Sequence, residues 1–154
     1  MATFIIQRNG KPVEADEVFL AWTSGDLARM ENATEIKTNP VDRHFLLLQL
    51  CSEFYKRRSD SIMRSKFLTW SRQHLREFPQ LAINLKSEFD NSLPQVPTFQ
   101  YLATVLVEDG NFDEAICVCD EALKYGLDDG TKFGFQGRID RIQKKQRQAL
   151  SNSP

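Results

Sequence analysis

The chain has 154 residues, 41% of them apolar and 27% charged, with 20 Lys and Arg against 21 Asp and Glu. That length holds one domain or a short repeat array and excludes a large multidomain enzyme. A formal net charge of −1 gives no general attraction to nucleic acid.

The charge is uneven along the chain. Residues 80–129 carry two basic and ten acidic side chains, whereas residues 40–79 carry eight basic and four acidic, and residues 130–154 six basic and one acidic. Basic helices flanking an acidic segment attract it, and charged solvated faces are the ordinary state of surface helices. No apolar run approaches the roughly 18 residues of a membrane span, and no apolar segment follows a basic start, so a cytoplasmic location is expected. Cys51, Cys117 and Cys119 lie in apolar helical patterns without a disulfide framework, which predicts buried reduced thiols. A Cys-x-Cys pair on a helix points its side chains about 200° apart and cannot chelate one ion.

Residues 3–8 are rich in β-formers and end at Asn9-Gly10, a dipeptide suited to a tight hairpin turn. Lys11 to Val13 forms the return strand. A short helix follows through Val18, Phe19, Leu20 and Trp22, opened by Asp16 or the residue before it and closed near Ser24-Gly25. Strand, Asn-Gly turn, strand, helix and a Gly25-Asp26-Leu27 exit resemble the small bacterial GYF-like modules over residues 3–35. The chain has Glu14-Ala15 where those modules carry Gly-Pro, and no proline-rich-peptide function is taken over. Residues 1–38 are expected to dock on the helices that follow, because two strands and one helix are not stable alone.

Residues 39–154 read as a helical domain. Asn39-Pro40 opens a helix with Leu47, Leu50, Cys51 and Phe54 on one stripe and Phe45, Leu46, Leu48 and Tyr55 on other faces, so it must be covered on more than one side. Ser59-Asp60 caps a second helix carrying Met63, Phe67, Trp70 and His74. These two form a bulky first pair, residues 39–77. Prolines bound residues 78–95, which read as an insertion forming a short helix or ordered loop packed by Leu81, Ile83, Leu85 and Phe89. A regular pair occupies residues 96–127, and a closing helix, 129–148, is capped by Asp128 or Asp129 and carries Phe135, Ile139 and Ile142 on one side.

Within the regular pair, Gly110-Asn111-Phe112-Asp113-Glu114-Ala115-Ile116 is followed by Ala122-Leu123. Small residues stand at Ala103, Gly110, Ala115 and Ala122, and large ones at Phe99, Leu102, Leu106 and Phe112. This pattern resembles the central turn of a tetratricopeptide repeat (TPR). A step of 34 residues from Phe99 and Ala103 reaches Phe133 and Gly137, and residues 122–145 are similar to the carboxy-terminal ends of uncharacterised bacterial TPR proteins. The resemblance implies a mostly α, TPR-like array of about two helical pairs plus a closing helix, with a small N-terminal β-hairpin and helix.

No residue pattern requires an enzyme. His44 and His74 lie on different helices without a second ligand at metal spacing, and His74 continues a core stripe. The acidic pairs Asp113-Glu114 and Asp120-Glu121 suit a helix start and an outer face. There is no phosphate-binding glycine loop and no nucleophile elbow, and neither metal nor cofactor is implied. The repeat resemblance implies a concave groove made by Ser52, Tyr55, Gln100, Thr104, Val107, Arg138 and Arg141, apolar at its centre and basic at one end. It would hold another protein or a peptide, an acidic one being favoured. Two alternatives stay open: a self-associating structural domain, and a nucleic-acid-binding regulator using Lys56, Arg57, Arg58, Arg64, Lys66, Arg72 and Arg76. Against the second, Trp70 belongs to the core stripe and the charges spread over several helix faces. Oligomeric state is not specified by any of these patterns.

Overall fold

The computed structural model describes residues 4–152, in which seven helices follow a two-stranded antiparallel hairpin. No helix among the described residues is long and apolar enough to cross a membrane. The chain divides into two compact units, residues 1–94 and 95–154.

In the first unit β1 (Ile5–Arg8) pairs with β2 (Lys11–Glu14), Ile6 opposite Val13. Asn9 and Gly10 both take positive φ, 54° and 75°, as a two-residue hairpin turn requires. Helix α1 (Glu17–Ser24) is capped by Asp16, whose side chain accepts from the Phe19 N–H, and it ends at Gly25. A further short helix follows that the sequence pattern did not predict, α2 (Leu27–Ala33), capped by Asp26. Helix α3 (Pro40–Lys56) starts at an Asn39 cap with proline in its first turn, and α4 (Ser61–Glu88) starts at an Asp60 cap. Helix α3 packs on α4, α1 and α2, which explains its apolar residues on several faces.

The insertion expected at residues 78–95 is not separate: α4 runs 28 residues through Pro79. Proline removes one helical hydrogen bond and crowds the preceding turn. It is tolerated here because Phe78, Leu81, Ala82 and Leu85 continue the buried stripe begun by Phe67, Ser71 and His74. Ile83 points the other way and is 66% exposed, so it does not pack the segment as expected, whereas Phe89, 37% exposed, keeps an edge contact with Phe45 at 6.2 Å between ring centres.

A buried carboxylate ties the hairpin and α1 to α3. Asp42, 0% exposed, accepts from Arg8 Nη2 at 2.6 Å, Arg8 Nε at 3.3 Å, Trp22 Nε1 at 3.1 Å and Asn39 Nδ2 at 2.6 Å. The four donors come from β1, α1 and the α3 cap. The Asn9 N–H also donates to the Glu88 carboxylate, joining the hairpin turn to the end of α4.

The second unit contains α5 (Thr98–Glu108), α6 (Phe112–Lys124) and α7 (Gly134–Ser151), with α6 packed on both neighbours. Ala103, Ala115, Cys119 and Ala122 are all 0% exposed, so small residues line the helix contacts as the pattern indicated. Cys117 is exposed, contrary to expectation, because it stands two positions from Cys119 and therefore on the opposite face of α6.

The closing helix also starts later than expected. Its N-cap is Phe133, without a side-chain cap bond, while Asp128 and Asp129 instead accept from the N–H groups of Gly130 and Thr131 in the preceding turn. Phe133 is 68% exposed, whereas Phe99, 34 residues earlier, is fully buried near Tyr125.

Candidate functional site

Helices α5 and α7 of the second unit flank a groove of about 230 Å³. Ala103, Thr104 and Val107 come from α5, and Arg138, Arg141, Ile142 and Lys145 from α7. Arg138, Arg141 and Lys145 are spaced three and four residues apart, which places them along one helix face.

A polar network fixes one wall. Arg138 Nε donates to Asp129 Oδ2 at 2.8 Å and Nη1 to Thr104 Oγ1 at 3.3 Å, while the Thr104 hydroxyl donates to the Gln100 carbonyl at 2.8 Å. Gln100 Nε2 closes the ring by donating to the Asp129 carbonyl at 3.2 Å. Burial raises the Asp129 carboxyl, but hydrogen bonds from Thr131 and Arg138 outweigh it and hold the group below the usual aspartate value. Arg138 therefore stands in a fixed, partly neutralised position. Arg141 and Lys145 are exposed, and neither forms an ion pair among the described residues.

The groove's lining residues include no carboxylate, and the cations Arg138, Arg141 and Lys145 stand over an apolar floor of Ala103, Val107 and Ile142. Cys119 lies within electrostatic reach of Arg138 and Arg141, yet burial pushes its thiol up to about 11, with Asp120 and Asp129 adding to the effect and both arginines opposing it. It is a neutral core thiol rather than a nucleophile. The arrangement can hold an anion beside an apolar side chain; it brings no acid–base pair together.

Of the seven residues expected to form a groove, Thr104, Val107, Arg138 and Arg141 line this one. Gln100 is committed to Asp129. Ser52 and Tyr55 lie on α3 in the first unit, where the Tyr55 ring sits 4.0 Å from the Arg58 guanidinium carbon and 5.6 Å from the Phe67 ring. Ala103, Ile142 and Lys145 were missed. Lys145 was detectable as the residue four after Arg141, and Ile142 as part of the buried stripe of the last helix.

Much of the basic charge on the first pair is answered locally. Lys56 and Arg57 both pair with Glu53 at 3.2 and 2.6 Å, Lys66 pairs with Glu31 at 3.0 Å, and Arg76 bonds Gln73 at 2.7 Å. Arg43 forms a two-pronged bond to Glu77 at 2.9 and 2.8 Å. His74 is fully buried, and its Nε2 lies 3.0 Å from Nδ1 of an equally buried His44. No group of three or more His, Cys, Asp and Glu among the described residues is arranged to hold a metal ion.

Compared with protein-family models, curated proteins and solved structures, the chain finds no match.

Proposed function

We propose that this chain is a TPR-like protein-interaction module that binds an acidic peptide or partner segment along the α5–α7 groove of its second unit, without catalysis. One observation carries the reading: three cations and no anion line a groove with an apolar floor, and one of those cations is held in place by Asp129 and Thr104. A peptide presenting a carboxylate next to an apolar side chain fits that chemistry. The fixed Arg138 lowers the ordering cost of binding, and the free rim cations Arg141 and Lys145 steer the approach. The 34-residue step that relates Thr104 to Arg138 and Val107 to Arg141 supports the repeat reading.

The test is fluorescence anisotropy with a labelled short peptide of alternating Glu and Leu. The doubly substituted Arg141→Glu/Lys145→Glu chain should bind it about tenfold or more weakly, a loss of about 1.4 kcal/mol. Wild-type affinity should fall as salt is raised. Equal affinity in the two chains, or salt-independent binding, would contradict the proposal.

A further inference from the structure

Both of the chain's histidines lie in the first unit, and they meet in its core. His44 on α3 and His74 on α4 are each 0% exposed, with Nδ1 of His44 3.0 Å from Nε2 of His74. Two neutral rings of complementary tautomers satisfy that contact with a single N–H···N bond. His44 Nε2 then has no hydrogen-bond partner in either tautomer, although it is buried. Aromatic rings flank the pair: the His44 ring lies 5.0 Å from Phe45 and 6.0 Å from Phe78, and His74 lies 6.2 Å from Phe78.

Protonation is poorly accommodated at this place. One added proton puts an imidazolium among aromatic rings, and a second sets two N–H groups against each other across 3.0 Å. The nearby charges do not offer relief. On α3, Asp42 is engaged by Arg8 of the hairpin, Trp22 of α1 and Asn39, while Arg43 is held by Glu77 of α4 and its charge opposes a proton on His74. Asp16, at the start of α1, caps that helix and accepts from Thr38; Glu17 pairs with Arg29. From α2, Glu31 pairs with Lys66 of α4. The remaining charged groups on this stretch of α4, Arg72 and Arg76, are cationic.

We propose that the His44–His74 contact is a proton-sensitive latch: it holds α3 against α4 while both rings are neutral and releases the first unit under mild acid, whereas the second unit, which contains no histidine, keeps its fold over the same range. Burial lowers His44 from 6.5 to about 4 and His74 well below 6.5, the latter helped by His44 and Arg43. Unfolded histidines take up protons first as pH falls. The stabilisation from keeping the pair neutral is therefore complete above about pH 6.5 and is lost progressively toward pH 4.

The two tryptophans, Trp22 and Trp70, both lie in the first unit, so tryptophan fluorescence of the full chain follows that unit alone. Between about pH 6 and 5, the unfolding constant from urea titrations should rise up to about a hundredfold per pH unit, tenfold for each proton taken up. Most of that slope should vanish in the His44→Leu/His74→Met chain. Should that chain fail to fold, wild-type imidazole proton NMR gives an independent reading. Neither ring should titrate in the native protein above about pH 5, and both should titrate near 6.5 in urea. A native imidazole titrating near 6.5, or a fluorescence midpoint unmoved across this range, would overturn the proposal.

Discussion

The two units build helical hairpins from different mixtures of side chains. Around α3 and α4 the first unit buries Leu46, Leu47, Leu50, Phe54, Phe67 and Phe78 together with the polar side chains of Asp42, His44, Ser71 and His74. The second unit buries Phe99, Leu102, Leu106 and Phe135 but sets Ala103, Ala115, Cys119 and Ala122 among them, and its buried polar residues are Thr98 and Asp129. Large side chains leave α3 with more apolar surface than one partner helix covers, which is why the hairpin, α1 and α2 are needed there. Small side chains let α6 serve two neighbours at once and leave the α5–α7 groove open on one side. Each unit buries one carboxylate under an arginine, Asp42 under Arg8 and Asp129 under Arg138; the first adds the buried histidine contact, and the second sets its arginine in the wall of the groove.

Substitutions that attack each scheme should differ in size. The largest loss is expected for Asp42→Ala, which strands Arg8, the Trp22 N–H and Asn39; chemical denaturation followed by tryptophan fluorescence should show about 3–5 kcal/mol, as for other buried ion pairs broken on one side. A loss below about 1 kcal/mol would mean that the carboxylate does not organise the first unit. Next comes Ala115→Leu in the second unit, where added methylenes between α5 and α6 should cost about 1–3 kcal/mol in thermal melting. An unchanged melting temperature would show that these helices are not closely packed.

Arg43→Met should cost less, about 1 kcal/mol or under, because the Arg43 and Glu77 side chains are still 21% and 25% exposed. Arg43 holds the Glu77 carboxyl below its usual value. The pair's contribution is therefore present above about pH 4.5 and lost as pH falls through the lowered Glu77 value, whereas the histidine contribution begins to fall already below about pH 6.5. The stability difference between wild type and Arg43→Met in urea titrations should shrink as pH falls below about 4.5; a difference that does not shrink would contradict the pairing. The smallest stability effect belongs to Arg141→Glu/Lys145→Glu, within about 0.5 kcal/mol, since these residues are exposed and unpaired. A larger loss would make them part of the fold rather than of a binding surface.

Much of this architecture is legible in local sequence signals. The Asn9-Gly10 turn and the Asp16, Asn39 and Asp60 caps all follow from chemistry within a few residues. Errors arise where tertiary burial overrides a local cue. Pro79 reads as a helix end, but the buried residues on either side carry α4 across it. Asp128 and Asp129 read as caps, yet their carboxylates serve the turn. Long-range polar partners are harder still: Arg8 and Asp42 are 34 residues apart, and no periodicity links them. The histidine contact did leave a trace, since His44 stands three residues before Leu47 and seven before Cys51, on the stripe that faces α4. In the groove, Thr104, Val107, Arg138 and Arg141 were reachable from the expected 34-residue offset, which pairs Thr104 with Arg138 and Val107 with Arg141, whereas the anchoring of Arg138 by Asp129 was not.

The most direct test of recognition in the second unit is residue-resolved amide NMR during titration with the Glu–Leu peptide. Saturable shifts should concentrate at Ala103, Thr104, Val107, Arg138, Arg141 and Lys145, and should be absent from the basic stretch Lys56 to Arg76. Shifts centred on that stretch, or none at all at peptide concentrations that saturate anisotropy, would contradict an acidic-peptide groove between α5 and α7.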